Sequence, residues 1–159
     1  MKKHPWKTIL LAGLLVGTFD ISGAFINYYI QTGNSPVRVL KYIASAFFGK
    51  QAYENSPAMP AIGLLMHYLI AMTWTILFFL IYPRLKFLSL NRIVTGILYG
   101  LFIWLVMSKL LVPLTRAPTG AFSWKSFAIG ASILIVAIGL PLSFIAYRFY
   151  QVKANAPAD

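Results

Sequence analysis

Apolar residues run along this chain in four long blocks, separated by short segments rich in polar residues, proline or glycine. The blocks are Thr8 to Ile30, Ala61 to Tyr82, Ile93 to Val112 and Phe122 to Tyr147. Each reaches the roughly 20 helical residues needed to cross a ~30 Å hydrocarbon layer. Helix is the expected form, because backbone groups in lipid must pair within their own segment. The connection over residues 31–60 carries another pattern. There Val37, Leu40, Ala44, Phe47 and Phe48 recur at helical spacing, while Arg38, Lys41 and Ser45 fall elsewhere on the wheel. Ser35 can cap this segment, Pro36 can take its first position and Gly49 can end it. The spacing predicts a short amphipathic helix over 36–48 on the outer face of the bilayer, either resting in the headgroups or lying as a lid over a cavity. QAYENSPAMP then reads as coil. The remaining connections are a tight basic turn, PRLKFLSLNR at 83–92, and PLTRAPTGA at 113–121, where two prolines and a glycine oppose helix.

Composition agrees with the pattern. The 159 residues are 59% hydrophobic and only 11% charged, with a mean hydropathy of +0.74, which leaves too little polar surface to enclose a soluble core. The expected fold is all-α, an integral membrane four-helix bundle forming one transmembrane domain, with a short external amphipathic helix. Cysteine is absent, so disulfide and thiolate chemistry are excluded. A net charge of +11 would suit nucleic acid if the basic residues shared one polar face, but they lie in short clusters between apolar blocks. The expected partner is the lipid bilayer, not nucleic acid.

Those clusters bear on topology. Lys2, Lys3, Lys7, Arg84, Lys86, Arg92, Arg148 and Lys153 fall on one side, against Arg38, Lys41, Lys50, Arg116, Lys125 and the boundary residue Lys109 on the other. The positive-inside rule then places both termini in the cytoplasm, and Trp6, Tyr28, Tyr29, Tyr82, Trp124, Tyr147 and Tyr150 near the block ends suit interfacial anchoring. MKKHPWK followed by TILLAGLLVGTF also fits the start of a secretory signal, with Ser22 and Ala24 as small residues at a cleavage site. The apolar run resumes at once through Ile30, however, and favours a retained span.

Only three acidic residues are present, and Asp20 sits inside the first block. At about 100° per residue, Gly13, Gly17, Asp20 and Ala24 share one narrow helix face, and small residues at that spacing let a neighbouring helix approach closely. In the second block Gly63, His67 and Ala71 repeat the arrangement. Asp20 lies ~18 Å in from Thr8 and His67 ~22 Å in from Tyr82, so the two can be level. An ionised, unpaired carboxylate at that depth costs at least ~2.5 kcal/mol, so Asp20 is expected to be protonated or to find a donor, and His67 is the nearest candidate. Such a pair can share a proton at mid-membrane, or it can be an interhelical hydrogen bond that fixes register.

Other polar groups rank lower. Lys109 and Arg116 are secondary candidates from the outer side, although Lys109 lies across the helix from Gly96 and Gly100 and is expected to snorkel to the headgroups. Gly96 and Gly100, like Gly13 and Gly17, form GxxxG pairs for packing within the chain or for self-association. IGLPLS in the fourth block marks a bend at Gly139 and Pro141. No HExxH, Walker loop or GxSxG occurs, and two histidines with three dispersed acids argue against a metal site. No cofactor is expected. A lone Asp and His without a nucleophile point away from an enzyme.

GTFDISGAF, RVLKYIASAFFGKQAY, LLMHYLIA, GILYGLFIWLVM with LVPLTRAP, and IGLPLS, in that order along nearly the whole chain, resemble a group of small bacterial inner-membrane proteins distantly related to the YagU-like family. The resemblance implies a four-span protein of the bacterial inner membrane, and the YagU branch is associated with acid tolerance. It carries over no catalytic residue. The functional expectation is a non-enzymatic membrane protein, a proton-linked transporter or channel component centred on Asp20 and His67. The alternative is a structural or assembly subunit that packs on itself or on a membrane partner through its glycine faces.

Overall fold

A computed structural model describes residues 5–54, 56–84, 91–120 and 122–154, and every regular element in them is helical. Helix α1 is Pro5–Thr32, α2 is Val37–Phe48 and α3 is Ala58–Ile81. Helix α4 is Arg92–Leu114, interrupted by a π turn at Val106–Leu111. Helix α5 opens as Trp124–Leu134, widens into a π turn at Ile135–Gly139 and continues as Leu140–Ala154. Four of these helices, all but α2, are long and apolar enough to cross a membrane. Their outward faces carry exposed Leu11, Phe19 and Ile26 on α1 and Leu65, Leu69 and Leu80 on α3. Large apolar side chains turned outward along whole helices belong against lipid, and the chain is a multi-pass membrane protein built as a four-helix bundle. Lys2, Lys3, Lys86, residues 85–90 of the basic turn and the Lys153 side chain lie outside the described residues.

Local chemistry sets most helix ends. Gly33 follows α1 with φ of 68° and returns its N–H to the Tyr29 carbonyl at 2.8 Å, the left-handed cap that a residue without Cβ adopts freely. Helix α2 starts at Val37 with Pro36, expected at its first position, standing before it without a side-chain cap, while Ser35 Oγ accepts a long bond from the Val37 N–H at 3.4 Å. Gly49 stops α2 at φ 58°. The next residues differ from the expected coil, since Gly49–Tyr53 forms a 3-10 helix and α3 begins at Ala58, before Ala61. Pro57 and Pro60 fall where the first backbone N–H groups have no intrahelical partner, so neither proline opposes the early start.

The two π turns share a cause. Each ends two residues before a proline, Pro113 in α4 and Pro141 in α5. A proline ring removes an N–H and crowds the carbonyl four residues back, and a widened turn relieves that crowding without ending the helix. The bend expected in IGLPLS therefore takes the form of a wide turn. For the same reason α4 runs through Pro113 to Leu114, where the spacing had put a loop from residue 113.

The helices pair through small residues. Gly13 and Gly17 of α1 meet Met72, Tyr68 and Ala71 of α3, and Gly96 and Gly100 of α4 meet Leu140, Ile135 and Gly139 of α5. Helices α3 and α4 meet through long aromatic side chains instead. Phe78 and Tyr99 have ring centroids 4.5 Å apart, and the Tyr99 hydroxyl donates to the Trp74 carbonyl at 2.6 Å. Towards the chain termini this contact widens into a packed aromatic core that includes Phe79, Tyr82 and Phe149. Tyr82, expected as an interfacial anchor, is buried there and stacks on Tyr150. Trp6, Tyr29 and Trp124 remain exposed near helix ends, as anchoring requires.

Candidate functional site

The site is built on the contact between α1 and α3. With no side chain on Gly17, the Tyr68 ring and the Ala71 methyl close to within 3.0 and 3.1 Å of where a Cβ would stand. Thr18 Oγ1 and the Tyr68 hydroxyl hydrogen bond at 2.9 Å alongside. This approach brings His67 Nε2 to the Gly17 carbonyl at 2.8 Å, buried. A carbonyl oxygen only accepts, so Nε2 carries a proton and donates it. Asp20 Oδ2 stands 4.0 Å from the same Nε2, within ion-pair range but beyond a hydrogen bond.

The interhelical clamp is His67 on the Gly17 backbone. Asp20, one turn further along α1, makes no hydrogen bond among the described residues and instead faces a cavity. That cavity has a volume of about 770 Å³, and His67 lines it as well. It lies in the half of the bundle towards α2. Ile21 and Ala24 of α1, Ile70 and Trp74 of α3, and Val106, Met107 and Leu111 from the α4 π turn form its walls. Val39, Tyr42, Ile43, Ala46 and Phe47 of α2 roof it. The lining is apolar apart from a few groups, chiefly Asp20, His67, Tyr42, Thr73 and Thr115. Such a volume matches the ~300–1,000 Å³ of small-molecule sites, in which a few polar groups set orientation within apolar walls.

The secondary candidates go elsewhere. Lys109 is exposed, with Nζ 4.4 Å from the Phe122 ring centroid and 5.9 Å from that of Trp104, a cation resting on aromatic faces at the α2 end. Arg116 caps α2. Its backbone N–H donates to the Ala46 carbonyl at 3.1 Å and its guanidinium to the Phe47 carbonyl at 3.4 Å, supplying donors to carbonyls that a helix C-terminus leaves unpaired. Neither lines the cavity beside Asp20.

Gly63 also differs from its expected use. It shares a face with His67, but its own neighbour is the Leu40 backbone of α2, not α1. This close approach explains a second departure. The side of α2 that packs inward is small, with Ala44 and Ser45 fully buried, while Phe47 is 62% exposed. Ser45, placed on the polar face by spacing, donates instead to the Tyr42 carbonyl at 2.6 Å. Among the described residues no group of three metal-ligating side chains occurs.

Sequence reasoning missed the cavity and its wall. Tyr42, Trp74 and Met107 carry no motif, and a void depends on which side chains fail to reach one another. The partner of the Gly96 and Gly100 face was within reach, because Gly139 is the glycine of the fourth block nearest a proline. Compared with protein-family models, with curated proteins and with solved structures, the chain matches none.

Proposed function

We propose that the protein is a proton-linked transporter or channel component of a bacterial inner membrane, with both termini cytoplasmic, α2 external and Asp20 as the proton-bearing group. One observation carries this reading: Asp20 and His67 stand 4.0 Å apart on the wall of one cavity of about 770 Å³. A purely architectural acid would be hydrogen bonded to the neighbouring helix, and here the Gly17 carbonyl occupies that place. Moving Asp20 Oδ2 by ~1 Å towards Nε2 would bring it to hydrogen-bond distance, so the imidazole N–H can pass between carbonyl and carboxylate with little motion. A carboxylate at this depth is stable when protonated or when paired, which couples its charge to what the cavity contains.

The glycine faces favour this reading over self-assembly, since Gly13, Gly17, Gly96 and Gly100 are all occupied within the chain. The test is flux in proteoliposomes carrying a pH gradient. Asp20→Asn should abolish the flux while keeping the fold, and Lys109→Ala should leave it unchanged. Full flux in Asp20→Asn would overturn the proposal, and an oligomer dispersed by that variant would favour the assembly role.

A further inference from the structure

A second pocket, of about 550 Å³, opens beside α2 at the same end of the bundle. Its lining is also largely apolar, but unlike the larger cavity it is bordered by cations. Arg38 and Lys50 border it together with the phenols of Tyr28, Tyr42 and Tyr53. Among the described residues no carboxylate lies within ion-pair range of either cation, and neither makes a side-chain hydrogen bond. The neighbouring Lys41 is already engaged with the Glu54 carbonyl at 3.2 Å. Burial pushes the Tyr42 phenol above its ordinary range and the nearby Tyr53 adds to the effect, so its hydroxyl stays protonated and able to donate. Two open cations beside three tyrosines suit an anion with several oxygens, and arginine in particular pairs with phosphate through two parallel N–H bonds.

The two pockets adjoin. Val39 and Tyr42 line both, so a single molecule with a charged head and an apolar tail can occupy the basic pocket and reach past α2 into the larger cavity. The bilayer supplies molecules of that shape at the depth where an interfacial helix lies.

We infer that the α2 end of the protein is a binding site for an anionic phospholipid, its phosphodiester held by Arg38 and Lys50 and one acyl chain lodged in the apolar cavity. The acyl chain would share the cavity that Asp20 and His67 line, but the lipid site does not depend on the proton reading, because the head is held by α2 and the segment after it. A zwitterionic lipid presents the same phosphodiester with an added cation, which Arg38 and Lys50 disfavour.

Trp74 on the cavity wall provides the readout. The full chain carrying Trp6→Phe, Trp104→Phe and Trp124→Phe, purified in non-ionic detergent, is titrated with phosphatidylglycerol brominated on its acyl chains. Brominated phosphatidylcholine is titrated in parallel. Saturable quenching is expected with phosphatidylglycerol at concentrations at least about fivefold below those for phosphatidylcholine. Arg38→Ala or Lys50→Ala should weaken it about fivefold and the pair about 30-fold. Lys125→Ala should leave it unchanged, and because lipid quenching is read without a pH gradient, failure of the lipid site and failure of the proton reading are told apart. Equal quenching by the two lipids, indifference to Arg38 and Lys50, or complete displacement by inorganic phosphate alone would each overturn the inference. If the single-tryptophan chain loses its helical circular dichroism, retention of the two lipids by the native chain in native mass spectrometry decides the same comparison.

Discussion

Alanine at Gly139 is expected to destabilise the bundle by about 2–3 kcal/mol or more, the cost of forcing a methyl into a filled contact. An added Cβ would overlap the Gly96 carbonyl oxygen and lie 3.1 Å from the Gly100 nitrogen. Both obstacles are backbone, so no rotamer change relieves them, and α5 must move away from α4. The sign of the effect is informative, because alanine is intrinsically better in a helix than glycine by about 1 kcal/mol. A Gly139 not held in contact would therefore gain stability on substitution. Unfolding in mixed micelles with rising dodecyl sulfate, followed by tryptophan fluorescence, measures the difference. Gly120→Ala supplies the reference, as nothing lies within 4 Å of its added methyl. Gly13→Ala should fall between them, since what it meets is the flexible end of Met72 at 2.7 Å. Equal midpoints for Gly139→Ala and Gly120→Ala would mean that α4 and α5 do not touch there.

This ordering separates what was legible in the sequence from what was not. The four spans were legible because a helix in lipid must be apolar nearly all round, so no partner need be known to find it. Helix α2 was legible through its flanking residues, Ser35 and Gly49. Asp20 and His67 were found by spacing, because glycine and alanine at helical intervals mark a face that meets protein. Spacing identifies such a face without naming what covers it. Gly63 and His67 share one, yet Gly63 receives α2 and His67 receives the Gly17 carbonyl of α1. Arg116 illustrates the same limit, since its capping of α2 joins segments about 70 residues apart in sequence, and the bond from Arg116 to Phe47 exists only once the bundle has closed. The π turns escaped because periodicity assumes 3.6 residues per turn, and a local widening alters the register after it. Pro113 was read as a helix stop because proline opposes helix, and the widened turn before it lets the helix continue to Leu114.

Gly63→Ala is expected to release α2 while leaving the spans folded. The added methyl would overlap the Leu40 carbonyl oxygen and lie 3.2 Å from the Leu40 Cα, so the α2 backbone must lift from α3. The other ties on α2 are the Lys41 bond to the Glu54 carbonyl, the burial of small side chains and the Arg116 cap. The inward side of α2 is Ala44 and Ser45, whose burial contributes less than that of larger side chains, and the Arg116 cap tethers only its C-terminal end. Amide exchange read by mass spectrometry should show Val37–Phe48 exchanging at least about tenfold faster, with α1 and the remainder of α3 as protected as before. The contrast with Gly139→Ala is the content of the prediction, because one substitution loosens the whole bundle and the other opens a single helix. Helix α2 roofs the large cavity and supplies Arg38 to the basic pocket, so its release should also remove the preference of Trp74 quenching for phosphatidylglycerol over phosphatidylcholine. The His67 bond to Gly17 runs to α1, not to α2, and should persist. Unchanged exchange in α2 would show that it is held by something other than its approach to Gly63, and the roof of the cavity would then need a different account.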